Sequence, residues 1–187
     1  MTLEYTEFLS EVIITAEQLQ ARIVELGAQI NQDYAGKNVL LVCILRGGVM
    51  FLTDLMRQLN VPVRLDFMAV SSYAIGARQS TGQARITLDL KTDIAGLDVL
   101  LVEDIVDSGY TLEAVLSLLN TRRPATLKTC VLLDKAERRE VEVPIDYSGF
   151  VIPDKFVFGY GLDIDEYYRN LPFIGAVDPT KYALIET

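Results

Sequence analysis

The 187-residue chain is half hydrophobic and carries a formal net charge of −9, which predicts one folded domain and argues against nonspecific nucleic-acid binding. It contains no histidine, so histidine-dependent nucleophile systems and histidine-bound zinc are excluded, and acid–base chemistry must come from carboxylates, lysine or tyrosine. No apolar run has the length of a membrane span, and the first residues lack the pattern of a signal peptide. We therefore expect a cytoplasmic protein without a membrane partner.

The amino-terminal part of the chain predicts helices that alternate with buried strands. Thr15 and Gln18 have the spacing of a capping box, and apolar residues then recur at helical spacing. Three elements follow: a buried strand at 38–45, a helix at 49–60 and a strand at 63–70. Residues 71–83 are polar and lack apolar periodicity, which predicts a long mobile loop.

The second part of the chain continues this alternation. Residues 85–90 alternate weakly and suit one strand of a hairpin arm, and buried strands are predicted at 99–102, 126–133 and 147–152. Cys43 and Cys130 fall inside buried strands, where a thiol behaves as a small apolar group. Together these elements predict an α/β fold with a parallel twisted sheet flanked by helices. Ligands of such sheets bind beyond the carboxyl ends of the strands.

The most informative segment lies at the end of the strand that begins at residue 99. The adjacent acids Glu103 and Asp104 end this strand, a loop over 107–109 follows, and Thr111 opens a helix. An ordinary strand-to-helix turn would explain the loop and Thr111, but not two acids at a strand's end. The free N–H groups at the helix start predict an anion site. The carboxylates would repel a bare phosphate, so a ribose phosphate accompanied by Mg²⁺ suits the segment best.

This segment resembles the signature of the phosphoribosyltransferases, which bind 5-phosphoribosyl 1-pyrophosphate. The match runs unbroken over residues 102–109 and continues at Thr111. The resemblance implies that Glu103 and Asp104 bind the ribose hydroxyls and the metal ion. It implies that the loop and helix start bind the 5′-phosphate through Asp107, Ser108, Gly109, Tyr110 and Thr111. Asp107 is then also the candidate catalytic base at purine N7, and Ile105 belongs to the purine site.

A second glycine-containing loop, Leu45-Arg46-Gly47-Gly48, follows the strand at 38–45. Alone it would be an ordinary turn, but beside the acidic motif it resembles the pyrophosphate loop of phosphoribosyltransferases of the hypoxanthine–guanine type. Leu45, Arg46 and Gly47 would then bind the donor. Arg46 replaces the family's usual lysine, which keeps the charge and changes the donor geometry. The resemblance also implies a cis peptide between Leu45 and Arg46, at least with ligand bound.

The segment Ser71-Ser72-Tyr73 opens the predicted mobile loop and is similar to a lid motif of the same family. The alternative is a plain surface loop. As a lid, it would keep water from a transition state with oxocarbenium character at the anomeric carbon.

A third line of resemblance combines Lys135 with the segments 152–163 and 166–169. It implies that Lys135 donates to purine O6, although by position alone a lysine at a strand exit is more commonly a surface residue. It further implies that Phe156 stacks on the base and that the Val157 backbone reads the base edge. The remaining implied contacts are Asp163 at the purine site and on Mg²⁺, and Arg169 on pyrophosphate.

The resemblance as a whole implies purine salvage. The phosphoribosyl group would pass from 5-phosphoribosyl 1-pyrophosphate to hypoxanthine and guanine, giving IMP, GMP and pyrophosphate. One domain is expected, with a core at about 36–152, a small hood from 1–35 and 153–187, and assembly as a homodimer or homotetramer. Two alternatives stay open: an enzyme that prefers xanthine, and a regulator that binds the donor without catalysis.

Overall fold

The computed structural model describes residues 4–71 and 85–182. Its strands are β1 (Leu9–Ile14), β2 (Val39–Leu45), β3 (Val63–Ser71), β4 (Arg85–Leu88), β5 (Asp98–Val106), β6 (Thr126–Asp134), β7 (Tyr147–Val151), β8 (Val157–Phe158) and β9 (Ile174–Val177). Its α-helices are α1 (Ala16–Asp33), α2 (Val49–Arg57), α3 (Tyr110–Thr121) and the short α4 (Pro179–Tyr182). Most of the predicted mobile loop, including Ser72 and Tyr73 of the lid motif, lies outside the described residues.

The main sheet has six strands in the order β4-β3-β2-β5-β6-β7. Five of them run parallel, as predicted, and only the edge strand β4 pairs antiparallel with its neighbour β3. The antiparallel pair confirms the hairpin arm expected around residue 85. The parallel strands bring the ends of β2, β5 and β6 to one edge of the sheet, where both predicted binding loops begin.

Helices cover both faces of this sheet. On one face α1 and α2 pack against side chains such as Leu41 and Cys43, and on the other α3 packs against Leu40 and Val42. The capping box at Thr15 is present, and the four apolar residues spaced helically along α1 are fully buried, namely Leu19, Ile23, Leu26 and Ile30. Burying a side chain of this size contributes about 1.5–3 kcal/mol. The helix α2 ends at Arg57, three residues before the predicted boundary.

A second, three-stranded sheet has the order β1-β9-β8 and joins the two ends of the chain. Phe8 and Phe158 pack tilted at its core, with ring centroids 5.4 Å apart. The hydroxyl of Tyr160 donates to Asp54 on α2 at 2.7 Å, which connects this part of the chain to the main layer. The helix α1, which the expected division assigns to the hood, packs on α2 and β7. Within the described ranges no helix is both long and apolar enough to cross a membrane.

Candidate active site

The acidic pair lies inside β5, which corrects the expectation that these acids end the strand. Parallel pairing with β6 continues past Glu103 and Asp104 as far as Val106, which is opposite Asp134. The strand is therefore longer than its aliphatic run. The pair still lies in the last four residues of β5, at the edge of the sheet where ligands bind.

Backbone hydrogen bonds from residues 140–141 fix the position of the loop after β5. The backbone N–H groups of Glu140 and Val141 donate to the Ser108 carbonyl at 2.9 and 3.0 Å. Gly109 has a φ of +98°, and a Cβ at this position would come within 2.5 Å of the Val141 carbonyl oxygen, so glycine is required here. The helix α3 begins immediately after Gly109, one residue before Thr111, and its first N–H groups have no intrahelical acceptors. This geometry suits an anion.

The acidic pair is poorly solvated. Desolvation raises the pKa of Glu103 well above its ordinary value, and the neighbouring charge of Asp104 raises it further. Burial also raises the pKa of Asp104, although its Oδ1 accepts a hydrogen bond from the Ile105 N–H at 2.8 Å. Oε2 of Glu103 is buried and has no hydrogen-bond partner among the described residues. Such a group is costly until a ligand supplies hydroxyls or a cation.

The loop after β2 lies directly against the acidic pair. The Leu45–Arg46 peptide is cis, as the resemblance implied. A Cβ at Gly47 would lie 1.5 Å from Oδ2 of Asp104, so only glycine fits. On the other side of this loop, a Cβ at Gly161 would lie 2.0 Å from the Gly47 carbonyl oxygen. Segments from β2, β5 and the carboxyl-terminal part of the chain therefore meet at one place.

The two arginines predicted to meet pyrophosphate lie together and are both paired with acids. Arg46 pairs with Glu166 through both of its terminal nitrogens: Nη2 donates a hydrogen bond to Oε1 at 2.9 Å, and Nη1 lies 2.8 Å from Oε2. Arg169 pairs with Asp163 at 2.8 Å and lies 3.4 Å from Oε2 of Glu166. Its Nη1 also donates to the Gly161 carbonyl at 2.8 Å, which fixes the guanidinium.

Lys135 follows the last residue of β6 and reaches the same edge of the sheet as Asp107. Its side chain is buried, and its Nζ lies 3.8 Å from Oδ2 of Asp107 and 3.7 Å from Oδ1 of Asp154. Arg138 approaches the other oxygen of Asp107, with Nε at 2.9 Å. A buried ammonium therefore lies beside the candidate base, and Lys135 is not an ordinary surface lysine.

A cavity of about 710 Å³ occupies this edge of the sheet. The predicted residues that line it are Leu45, Arg46, Gly47, Ser71, Glu103, Asp104, Ile105, Asp107, Ser108, Gly109, Thr111, Asp163 and Arg169. Among the predicted residues that the structure describes, four do not line it: Tyr110, Lys135, Phe156 and Val157. Of these, Phe156 is largely exposed, and Val157 is buried by its pairing in β8. The purine-contact roles of Phe156 and Val157 thus stay predictions from the resemblance.

Three polar or charged residues around the cavity have no role in the interpretation of the sequence. Thr87 of β4 and Glu166 line the cavity, and Arg138 pairs with Asp107. Glu166 falls inside a motif segment, but the resemblance gives it no function. Thr87 lies on the hairpin arm and Arg138 on a short 3₁₀ helix, and neither carries a local pattern that indicates a ligand site.

Comparison with known proteins agrees with this geometry. Residues 13–165 match the family model of the phosphoribosyl transferase domain. The chain is 52% identical over 170 residues to a hypoxanthine phosphoribosyltransferase of Haemophilus influenzae, an alignment that covers 89% of this chain and 94% of that relative. It is 49% identical over 184 residues to a hypoxanthine-guanine phosphoribosyltransferase of Mycobacterium avium, covering 95% and 90% of the two chains.

The fold is likewise shared with solved structures. A hypoxanthine phosphoribosyltransferase from Staphylococcus aureus superposes with a TM-score of 0.91 at 44% identity, over 97% of this chain and 98% of that chain. The similarity therefore extends over the main sheet, the second sheet and the cavity between the binding loops. From its sequence, its fold and this extent of similarity, the chain belongs to the phosphoribosyl transferase family.

Proposed function

We propose that the protein transfers the 5-phosphoribosyl group from 5-phosphoribosyl 1-pyrophosphate to hypoxanthine and guanine, releasing pyrophosphate and forming IMP or GMP. The observation that carries this proposal is the meeting of an acidic pair, an anion-binding loop and the Asp107–Lys135 pair at one edge of the sheet. The names of the relatives with about 50% identity support the same purine substrates.

Hydrogen-bond donors would bind the phosphate groups of the donor substrate, and carboxylate acceptors would bind its ribose. Backbone N–H groups and hydroxyls from Ser108 to Thr111 would bind the 5′-phosphate at the start of α3. Glu103 and Asp104 would accept hydrogen bonds from the ribose hydroxyls, which satisfies the unpartnered oxygen of Glu103. Arg46 and Arg169 would bind the pyrophosphate group, for which the planar guanidinium has suitable geometry.

The acidic residues of the cavity could supply some of the ligands that a Mg²⁺ ion needs. Glu103, Asp104 and Asp163 line one cavity, and carboxylates are ligands that Mg²⁺ prefers. Across residues 4–71 and 85–182 no three potential ligand side chains cluster closely enough to hold a metal ion alone. Oxygen atoms of the donor would therefore complete the coordination. When bound, the ion neutralises charge on the pyrophosphate leaving group.

The reaction replaces the bond between the anomeric carbon and pyrophosphate by a bond to purine N9, and the purine loses one proton. O6 and N7 lie on the same edge of a 6-oxopurine, and the Lys135 and Asp107 side chains lie 3.8 Å apart. Lys135 would donate to O6 while Asp107 receives the proton at N7 and stabilises positive charge on the ribosyl group. The lid motif and assembly as a dimer or tetramer stay predictions from the resemblance, and a cytoplasmic location stays a prediction from the sequence.

A panel of four bases tests this function. With donor and Mg²⁺ present, hypoxanthine and guanine should be converted to nucleotides, and adenine at least about a hundredfold more slowly, because Lys135 cannot donate to a 6-amino group. A clear preference for xanthine would favour the related enzyme instead. Donor binding without conversion of any base would favour a regulator.

A further inference from the structure

Glu166 occupies the position that an anionic ligand of Arg46 would take. Its Oε1 accepts a hydrogen bond from Nη2 of Arg46, and its Oε2 lies 2.8 Å from Nη1 of Arg46 and 3.4 Å from Nη2 of Arg169. Two arginines that come from opposite parts of the chain thus share one carboxylate. All three side chains line the same cavity.

The identity of residue 46 determines how this contact is made. Arginine offers two parallel N–H donors that match a carboxylate or a phosphate, whereas the compact ammonium of lysine cannot make this two-point contact. Pyrophosphate oxygens and the Glu166 carboxylate would therefore use the same donors on Arg46. They cannot both use them at once.

We propose that Glu166 is an internal anion that competes with pyrophosphate for Arg46 and Arg169. It thereby weakens the binding of pyrophosphate and speeds its release as a product. This inference rests on the proposed function, because it takes the pyrophosphate group to bind at these arginines. Glu166 contacts binding residues rather than reacting atoms, so it tunes affinity and is not a catalytic residue.

Solvent exposure limits the size of the effect. The side chains of Arg46 and Glu166 are 68% and 56% exposed, and ion pairs exposed to this degree typically contribute only about 0.2–1 kcal/mol. We therefore expect removal of the carboxylate to tighten pyrophosphate binding by about two- to fivefold, the range that corresponds to exposed ion pairs. Removing a negative charge near the site would by itself also tighten the binding of the pyrophosphate anion. A variant that keeps the charge is therefore needed to separate the two effects.

The test is isothermal titration calorimetry of the whole protein with magnesium pyrophosphate. Glu166→Gln is isosteric and should lower the Kd by about two- to fivefold. Glu166→Asp keeps the charge, but its side chain is one methylene shorter. It should lower the Kd less than Glu166→Gln does, because it loses the two-point contact with Arg46 but keeps the negative charge. In an Arg46→Lys background, Glu166→Gln should give a smaller gain than in the wild-type protein, because the two residues are coupled.

The inhibition constant of pyrophosphate as a product should fall in parallel with its Kd. An unchanged or raised Kd in Glu166→Gln, with normal binding by the wild-type protein, would overturn the inference and leave the proposed function intact. The inference would also be wrong if Glu166→Asp had the same Kd for magnesium pyrophosphate as the wild-type protein. The tighter binding by Glu166→Gln would then come from its lower negative charge alone. If the wild-type protein failed to bind magnesium pyrophosphate, the proposed function would fail and the inference with it.

Discussion

The backbone of Gly47 lies against the carboxylate of Asp104, so that a Cβ on residue 47 would fall 1.5 Å from Oδ2. These residues are 57 positions apart in the chain, and they belong to neighbouring strands of the parallel sheet or the loops that follow them. The contact explains why the two binding loops form one site. The loop after β2 can approach the ribose-binding acids only because residue 47 has no side chain.

Gly47→Ala should therefore disrupt donor binding. The added methyl group must displace Asp104 or the loop, at a cost of about 1–3 kcal/mol for an overpacked position. We expect the Kd for the donor to rise about tenfold or more, measured by calorimetry. Gly36→Ala is a control for the general effect of replacing a glycine, since Gly36 has a φ of +76° but open space around it. This control should lower thermal stability and leave donor binding unchanged.

Asp107→Asn should lower turnover by about a hundredfold or more, the usual scale for a positioned acid–base group. Binding of the donor should change little, because the amide keeps the shape of the loop. Asp154→Asn is the matched control, because Asp154 contacts Lys135 and Arg138 as Asp107 does. The control should lose less than about tenfold. Equal losses in both variants would remove Asp107 from the chemistry.

Lys135→Gln should weaken the selection of 6-oxo over 6-amino purines. Loss of a charged donor at O6 is expected to lower kcat/KM for hypoxanthine by about 10- to 100-fold, with little change for adenine. Arg138→Gln removes a neighbouring positive charge that also contacts Asp107, and it should affect both bases alike. The assignment of Lys135 to O6 would be wrong if its replacement lowered both rates equally.

Burial of Glu103 should destabilise the ligand-free protein at high pH but not at low pH. Burial raises the pKa of Glu103, so between its ordinary and its raised pKa the folded protein holds a proton that the unfolded chain has released. Stability contributed by this group therefore falls as pH rises through that window.

Glu103→Gln should remove this penalty and raise the free energy of unfolding at about pH 8 by about 1–3 kcal/mol, while weakening donor binding. Near pH 4 the gain should largely disappear, because the carboxyl is then protonated in the folded and mostly in the unfolded state. Thermal unfolding measured at both pH values provides the check. Glu137→Gln, at an exposed position, should change neither midpoint; a Glu103→Gln protein less stable than the wild type at pH 8 would contradict this account.

The parallel sheet was predictable because its strands carry long buried apolar runs. The strand β2, for example, is buried at six of its seven positions. The second sheet could not be predicted in this way. Buried and exposed residues do not alternate regularly along β1, and its partner β9 lies near the other end of the chain. A short strand that is stabilised by so distant a partner carries little local signal.

For the candidate site, residues within one motif could be predicted and contacts between motifs could not. Glu103, Asp104 and the loop up to Thr111 form a continuous pattern with a clear chemical purpose. The pair between Arg46 and Glu166 joins residues 120 positions apart, and it depends on how the carboxyl-terminal segment folds back over the sheet. Arg138 likewise reaches Asp107 only through the tertiary fold.

The most direct test of one shared pocket is a crystal structure of the protein with IMP. We predict the 5′-phosphate at the N–H groups of residues 108–111, the ribose hydroxyls on Glu103 and Asp104, and purine O6 within hydrogen-bond distance of Lys135. A nucleotide bound with its phosphate away from the loop after β5, or with its base away from Lys135, would contradict the account.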